Sequence, residues 1–398
     1  MQRERLARLA QTDGARLFLS MWDVCPPSYD SRMPIGDESM NERQGRMQGA
    51  DAVKGIATLL VLLTHYAWQD QERTALLFPF WVQVAVPAFM FVTGLVGAAS
   101  LERARSSGGA WQLPWVVRRL VAWVMPLLVL CVVEALCYAL RGEPFPFRVD
   151  QILLDGRAGP GGYYYLVLAQ LALLLPVMFS TMDKRPQTGL LLWLFVDVLF
   201  ESLCRRWGVG DPAYRVGALR YVFSVACGIH AYETRGRRLA PRLTIPCMAV
   251  GFAWLVATKY LGYWPHVVKA WYATSWVAAL WSLPLLRWAC LRWNGWRPLC
   301  ALGRRSFSVF TVQVFFYRLV DDYVFAAIPS RIVQLVVCVA ACLVFGLAFD
   351  ALFASRLSQI CGRVSARLMG VDACALDRRL GDLIFGDGRP EDEGTRSC

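Results

Sequence analysis

The sequence predicts an all-α, polytopic integral membrane bundle of about ten transmembrane helices with both termini cytoplasmic. Three observations predict it. Of the 398 residues, 56% are hydrophobic and 18% charged, against about 45–50% and about 25% in soluble domains. Apolar runs recur between residues 52 and 356, separated by short polar breaks. The basic residues behind the net charge of +12 collect in alternate breaks, as they do in cytoplasmic loops.

Residues 1–50 are polar and irregular and read as a disordered N-terminal extension; they lack the apolar core of a signal peptide. Spans then fall near 52–68, 76–99, 115–140, 163–182, 188–204, 215–232, 243–262, 266–290, 303–326 and 331–356. A helix needs about 20 residues, with a range of about 17–25, to cross a bilayer. Pro87, Pro126, Pro176, Pro246 and Pro284 lie inside these spans and predict kinks, which membrane helices tolerate. Four breaks are basic: Arg103, Arg105, Arg118 and Arg119; Lys184 and Arg185; Arg235, Arg237, Arg238 and Arg242; Arg287, Arg292, Arg297, Arg304 and Arg305. The intervening breaks hold Asp70, Glu72, Glu143, Asp150 and Asp155, with Arg205 and Arg206 as the exception. Domain boundaries follow: a membrane domain over 51–356 and a polar cytoplasmic tail over 357–398. The outward segment 141–162 is rich in Pro and Gly with mixed charge, which fits a shaped loop for a polar ligand or a plain connector.

Some function classes are excluded. The basic clusters are not interleaved with aromatics, so no nucleic-acid surface is expected. The 13 cysteines include no CxxC pair and no Cys/His cluster, so neither a metal site nor structural disulfides are expected. Cys131, Cys137, Cys227, Cys338 and Cys342 sit inside apolar runs, where a thiol behaves as a small hydrophobe.

The chemistry-bearing stretch is "DAVKGIATLLVLLTHYAW", residues 51–68. Lys54 and His65 are eleven positions apart, about three helical turns and about 16 Å, so both lie on one face. Ionisable groups at membrane depth usually face an interior cavity and mark function. A histidine there suits general-base work, and a lysine near the mouth suits an anion such as a phosphate. Spacing alone fits equally well a packed histidine and a snorkelling lysine. Asp51, three residues before Lys54, is placed either to pair with it or to favour the helix N-terminus. Glu134, Asp197, Glu201, Arg220, Arg318, Asp321 and Asp350 also interrupt apolar runs; pairing between helices is their expected role, with Arg318 and Asp321 pairing along one helix. His230 and His266 read as surface residues. Trp264, Trp271, Trp276, Trp281, Trp288, Trp293 and Trp296 read mainly as interface or lipid contacts.

The stretch resembles the first-helix signature of the membrane acyltransferase 3 family, with Asp51, Lys54, Gly55 and His65 at matching positions. The likeness continues in order through "VPAFMFVTGLV" (86–96), "VRRLVAWVMPLLVL" (117–130), "GGYYYLVLAQLALLLPVM" (161–178) and "LGRRSFSVFTVQVFFY" (302–317). The resemblance implies a stand-alone O-acyltransferase of the bacterial inner membrane. Such an enzyme takes an acyl group, commonly acetyl from acetyl-CoA, to a hydroxyl of an exopolysaccharide, another surface glycan or a lipid-linked sugar. Acetyl-CoA is then a donor substrate, no cofactor is bound, and membrane lipid is the remaining partner. His65 takes the catalytic position, acting as base or carrying the acyl group. Lys54 stands beside it, Arg118 and Arg119 join Lys54 as candidates for the CoA phosphates, and Asp51, Gln313 and Tyr163 are supporting. The chain departs from the family pattern at Ala122, where a second arginine is common, at Gln313, where histidine is common, and at Tyr163–Tyr165, where the helix often opens with tryptophan. The rival reading is a transporter or lipid-linked sugar flippase, although the repeated halves common in transporters are not evident.

Overall fold

The computed structural model describes residues 47–105, 113–146, 151–152, 156, 159–237, 240–263 and 275–369. The N-terminal extension up to residue 46, the tail beyond 369, His266, Trp264 and Trp271 lie outside the described residues. The described chain is helical, and residues 47–369 fall in one compact unit.

Helix α1 spans Gln48–His65. It carries Asp51 in its first turn, where an acid complements the positive end of the helix dipole, and it stops because Tyr66 is extended. The short helices α2 (Asp70–Ala75) and α3 (Phe78–Trp81) turn the chain back. In α2 a capping box between Gln69 and Glu72 satisfies the first amides. Then come α4 (Ala85–Arg105), α5 (Leu113–Leu140), α6 (Tyr163–Asp183) and α7 (Pro186–Arg206). A short α8 (Asp211–Val216) and a 3₁₀ turn (Ala218–Tyr221) lead into α9 (Val222–Glu233). The remainder is α10 (Pro241–Lys259), α11 (Trp276–Ala279), α12 (Leu283–Arg292), α13 (Arg297–Arg304), α14 (Ser306–Leu319), α15 (Asp321–Ala327) and α16 (Arg331–Phe349). A π-helical turn (Asp350–Ala354) joins α16 to α17 (Ser355–Met369), which packs back on α5, so the start of the expected polar tail is helical.

Among the described residues, six helical segments are long and apolar enough to cross a membrane: Phe78–Arg105, Leu113–Leu140, Tyr163–Asp183, Pro186–Arg206, Pro241–Lys259 and Arg331–Phe353. The other four expected spans are shorter, broken or polar. The run 303–326 breaks at Arg305 and Val320, and 215–232 is helical in earnest only from Val222. The described part of 266–290 splits into α11 and α12. Helix α1 is interrupted by Asp51 and Lys54. These elements are interior: α9 and α14 bury most of their residues, and α1 packs against α4, α12, α13, α14 and α16. A helix surrounded by protein is released from the apolar requirement that lipid contact imposes.

Lipid tails are as apolar as leucine, so membrane helices associate through close packing, often at small residues. The crossing of α1 and α13 is such a contact. A Cβ on Gly303 would lie 1.7 Å from the Asp51 carbonyl oxygen, and one on Gly55 2.2 Å from that of Leu299. Gly303→Val is therefore expected to lower thermal stability in detergent by about 1–3 kcal/mol or more. Gly236→Ala, with no neighbour within 4 Å, should leave the melting temperature unchanged in the same assay.

Candidate active site

Lys54 and His65 both open onto one cavity of ≈ 270 Å³. The Lys54 ammonium is 2.7 Å from Asp51 Oδ1, one turn back along α1, so the two do pair. Helix α5 adds Arg119 to the same wall. Its guanidinium lies 5.3 Å from the Trp115 ring centre and 5.7 Å from that of Trp123. Residues four apart stack on one helix face, and cation–π contact on both sides fixes the side chain's direction. Trp115 Nε1 donates to Ser100 Oγ at 2.9 Å, tying this stack to α4. Arg118, on the neighbouring face, is exposed and lines neither this cavity nor the next. Arg304, at the end of α13, is a third cation on this wall, and no carboxylate is among the described residues that line it. Ser306 places the N-terminus of α14 there too, and such a terminus favours anions.

His65 also lines a second cavity, ≈ 1070 Å³. Val61, Val86, Gly161 and Tyr163 border both, so the imidazole stands where the two cavities meet. Gly161 presses closest to the imidazole there. Its φ of +88° suits glycine, and a Cβ there would be 3.2 Å from Phe310 Cε2 and 3.4 Å from His65 Nε2. The loop carrying it is held from α14: the buried Gln313 donates from Nε2 to the Pro160 carbonyl at 3.2 Å. Gln313 thus stands behind the loop rather than in either cavity. Among the described residues no side-chain hydrogen bond orients His65. Its ring is 6.3 Å from that of Tyr317, whose hydroxyl donates to the Leu62 carbonyl at 3.2 Å, so packing holds the imidazole.

Of the residues singled out from sequence, the structure gathers Lys54, His65, Arg119 and Tyr163 on the smaller cavity, with Asp51 and Gln313 bracing them and Arg118 apart. Arg304, Gly161, Trp115 and Trp123 were not singled out. The four-residue spacing of Trp115, Arg119 and Trp123 and the "GPGG" run were the available signals. Among the other interrupting charges, Glu134, Asp197, Glu201, Arg318 and Asp350 serve as ties between helices, while Arg220 lines the larger cavity. Arg318 Nε lies 3.8 Å from Glu134, Tyr214 donates to Glu201 at 2.7 Å, Phe223 N donates to Asp197, and Ser308 and Arg305 both reach Asp350. The Asp321 side chain, expected to pair with Arg318, lies outside the described residues. His230 lines neither cavity, and no group of His, Cys, Asp and Glu among the described residues is placed to hold a metal ion.

A family model described as an acyltransferase domain matches residues 47–351, from the residue before α1 into the π-helical turn. The chain belongs to the acyltransferase 3 family. No curated protein gives a match. As a member of the acyltransferase 3 family with six segments able to cross a bilayer, the protein is a multi-pass membrane acyltransferase, and the transporter reading gives way to it. Both wall-forming elements, α1 and the start of α6, lie inside the matched region.

In Gly161→Ala the left-handed backbone costs about 1–2 kcal/mol and the new methyl presses on Phe310 and His65. The expected result is a lower melting temperature together with slower modification of His65 by diethyl pyrocarbonate, read by mass spectrometry of the α1 peptide.

Proposed function

We propose that this protein transfers an acetyl group from acetyl-CoA to a hydroxyl of a surface or exported glycan, of exopolysaccharide type, at the bacterial inner membrane. The observation that carries this reading is the position of His65 where two cavities meet, one of them lined, among the described residues, by cations and no carboxylate. In this reading the smaller cavity faces the cytoplasm, consistent with the basic residues clustered at that end of the chain's loops.

The donor's phosphates meet Lys54, Arg119 and Arg304, where charge-assisted bonds are strong. Asp51 keeps Lys54 directed along α1. The pantetheine arm lies along the apolar wall formed by residues such as Val92, Val96 and Leu168, bringing the thioester to the meeting of the two cavities. The acceptor enters the larger cavity and presents a hydroxyl to His65. The imidazole takes the hydroxyl proton as the oxygen attacks the thioester carbonyl. As the tetrahedral intermediate collapses, the C–S bond breaks and the imidazolium returns that proton to the CoA thiolate. Tyr163, bordering both cavities, is in place to donate a hydrogen bond to the oxyanion. Gln313 acts through the Pro160 carbonyl, which explains how glutamine serves at a position where the family often has histidine.

Purified His65→Ala should transfer labelled acetyl about 10²–10⁴-fold more slowly than wild type while retaining its melting temperature; transfer at the wild-type rate would overturn the mechanism. Lys54→Gln and Arg119→Gln should raise the KM for acetyl-CoA by about 10-fold or more, with a smaller change in kcat, measured at saturating acceptor. Arg118→Gln serves as the exposed comparison and should leave that KM unmoved.

A further inference from the structure

The larger cavity has a charge pattern that the donor does not explain. Arg73 reaches it from α2, Arg215 from α8, Arg220 from the 3₁₀ turn and Lys259 from the end of α10, against Asp70 and Asp211. Among the described residues, four cations from four separate elements thus face two carboxylates. Arg73 and Lys259 form no ion pair with the described residues; Glu72, next to Arg73 in sequence, is engaged instead by Arg331 at 2.7 Å. Arg220 is only 2% exposed, and its guanidinium sits 4.3 Å from the Tyr214 ring centre and 4.6 Å from that of Tyr221, a fixed and preoriented cation. Arg215 is exposed and Arg73 half-buried, so Arg220 is the deep member of the set; a buried cation is costly and is retained where it pairs or meets a ligand.

A neutral sugar is recognised through hydroxyl-matching amides and carboxylates and through aromatic faces. Among the described residues this wall holds more cations than carboxylates and no tryptophan, with Tyr163, Tyr260 and Gln83 as its aromatic and amide groups. Planar guanidinium groups and a lysine instead match the oxygens of a carboxylate or phosphate. Arg73, Arg215 and His65 line the same cavity, so an anion bound by the two arginines shares a chamber with the reacting hydroxyl. Resting on the acyl-transfer reading above, we infer that the acceptor is anionic. It is a sugar bearing a carboxylate or phosphate group, which Arg73, Arg220 and Lys259 hold while a nearby hydroxyl reaches His65.

The test uses the full-length protein in lipid nanodiscs, labelled acetyl-CoA, and the surface and lipid-linked glycan fraction from a strain lacking the gene. The fraction is offered intact, after chemical reduction of its carboxyl groups, and after dephosphorylation. Transfer efficiency is expected to fall at least about 10-fold after one of the two treatments. Loss on reduction identifies a uronate-like carboxylate, and loss on dephosphorylation identifies a sugar phosphate. Arg73→Gln and Lys259→Gln should each raise the KM for the intact fraction about 10-fold without raising that for acetyl-CoA. Undiminished transfer to both treated fractions overturns the inference and leaves the acyltransferase function standing. A raised KM for acetyl-CoA in these variants, with acceptor KM unmoved, assigns the larger cavity to the donor and likewise overturns it. Absence of transfer to the intact fraction overturns the glycan-acceptor reading and this inference with it.

Discussion

A helix that carries an aspartate, a lysine and a histidine cannot be left against lipid. Each of those groups is costly in hydrocarbon, and the surrounding architecture follows from enclosing them. Five helices pack around α1, and the tightest of these contacts is backbone to backbone, at Gly55 and Gly303. The close approach excludes lipid and solvent from one side of α1, which leaves Lys54 and His65 to open on the other. Some of the long, apolar helices form the sheath around this centre; Leu113–Leu140 and Arg331–Phe353 bury only a small share of their residues. The division between a polar interior and an apolar sheath is the reverse of a soluble core, and it frees the interior helices to be short and interrupted.

That freedom is what makes a site with two sides. If every element were an unbroken span, no loop would reach bilayer depth beside α1. Instead the 159–162 turn enters the bundle, held through Gln313, and places Gly161 against the imidazole. Irregular backbone at such depth is tolerated where protein or a cavity surrounds it, and both conditions hold here. The tryptophan–arginine–tryptophan stack on α5 applies the same logic to a side chain. Packing partners on both sides hold Arg119 toward the smaller cavity, where a lone arginine would be free to turn to solvent.

The sequence made α1 legible because a single helix carries the whole signal: the three-turn separation of Lys54 and His65 is a local property. The long spans were legible for the same reason, since hydropathy is summed within one segment. The interior elements were not, because hydropathy reads lipid exposure, and α9, α13 and α14 meet protein instead. Lys54 and Arg119 could be named from a resemblance, but the choice between Arg118 and Arg119 depends on which face of α5 meets α4. The cations of the larger cavity were least legible. Arg73, Arg215, Arg220 and Lys259 come from elements far apart in sequence, and Arg73 and Lys259 drew no notice as loop and helix-end charges.

The meeting of the two cavities beside Gly161 has a consequence for charge. In the proposed mechanism the proton leaves the acceptor hydroxyl on one side and arrives on the CoA sulfur on the other, with one imidazole as carrier. The acyl group travels the opposite way, so each substrate keeps its charge: the hydroxyl becomes an ester and the thioester becomes a thiol. The exchange is electrically silent, and the membrane voltage neither drives nor opposes it. The free energy of the thioester alone carries the acyl group outward.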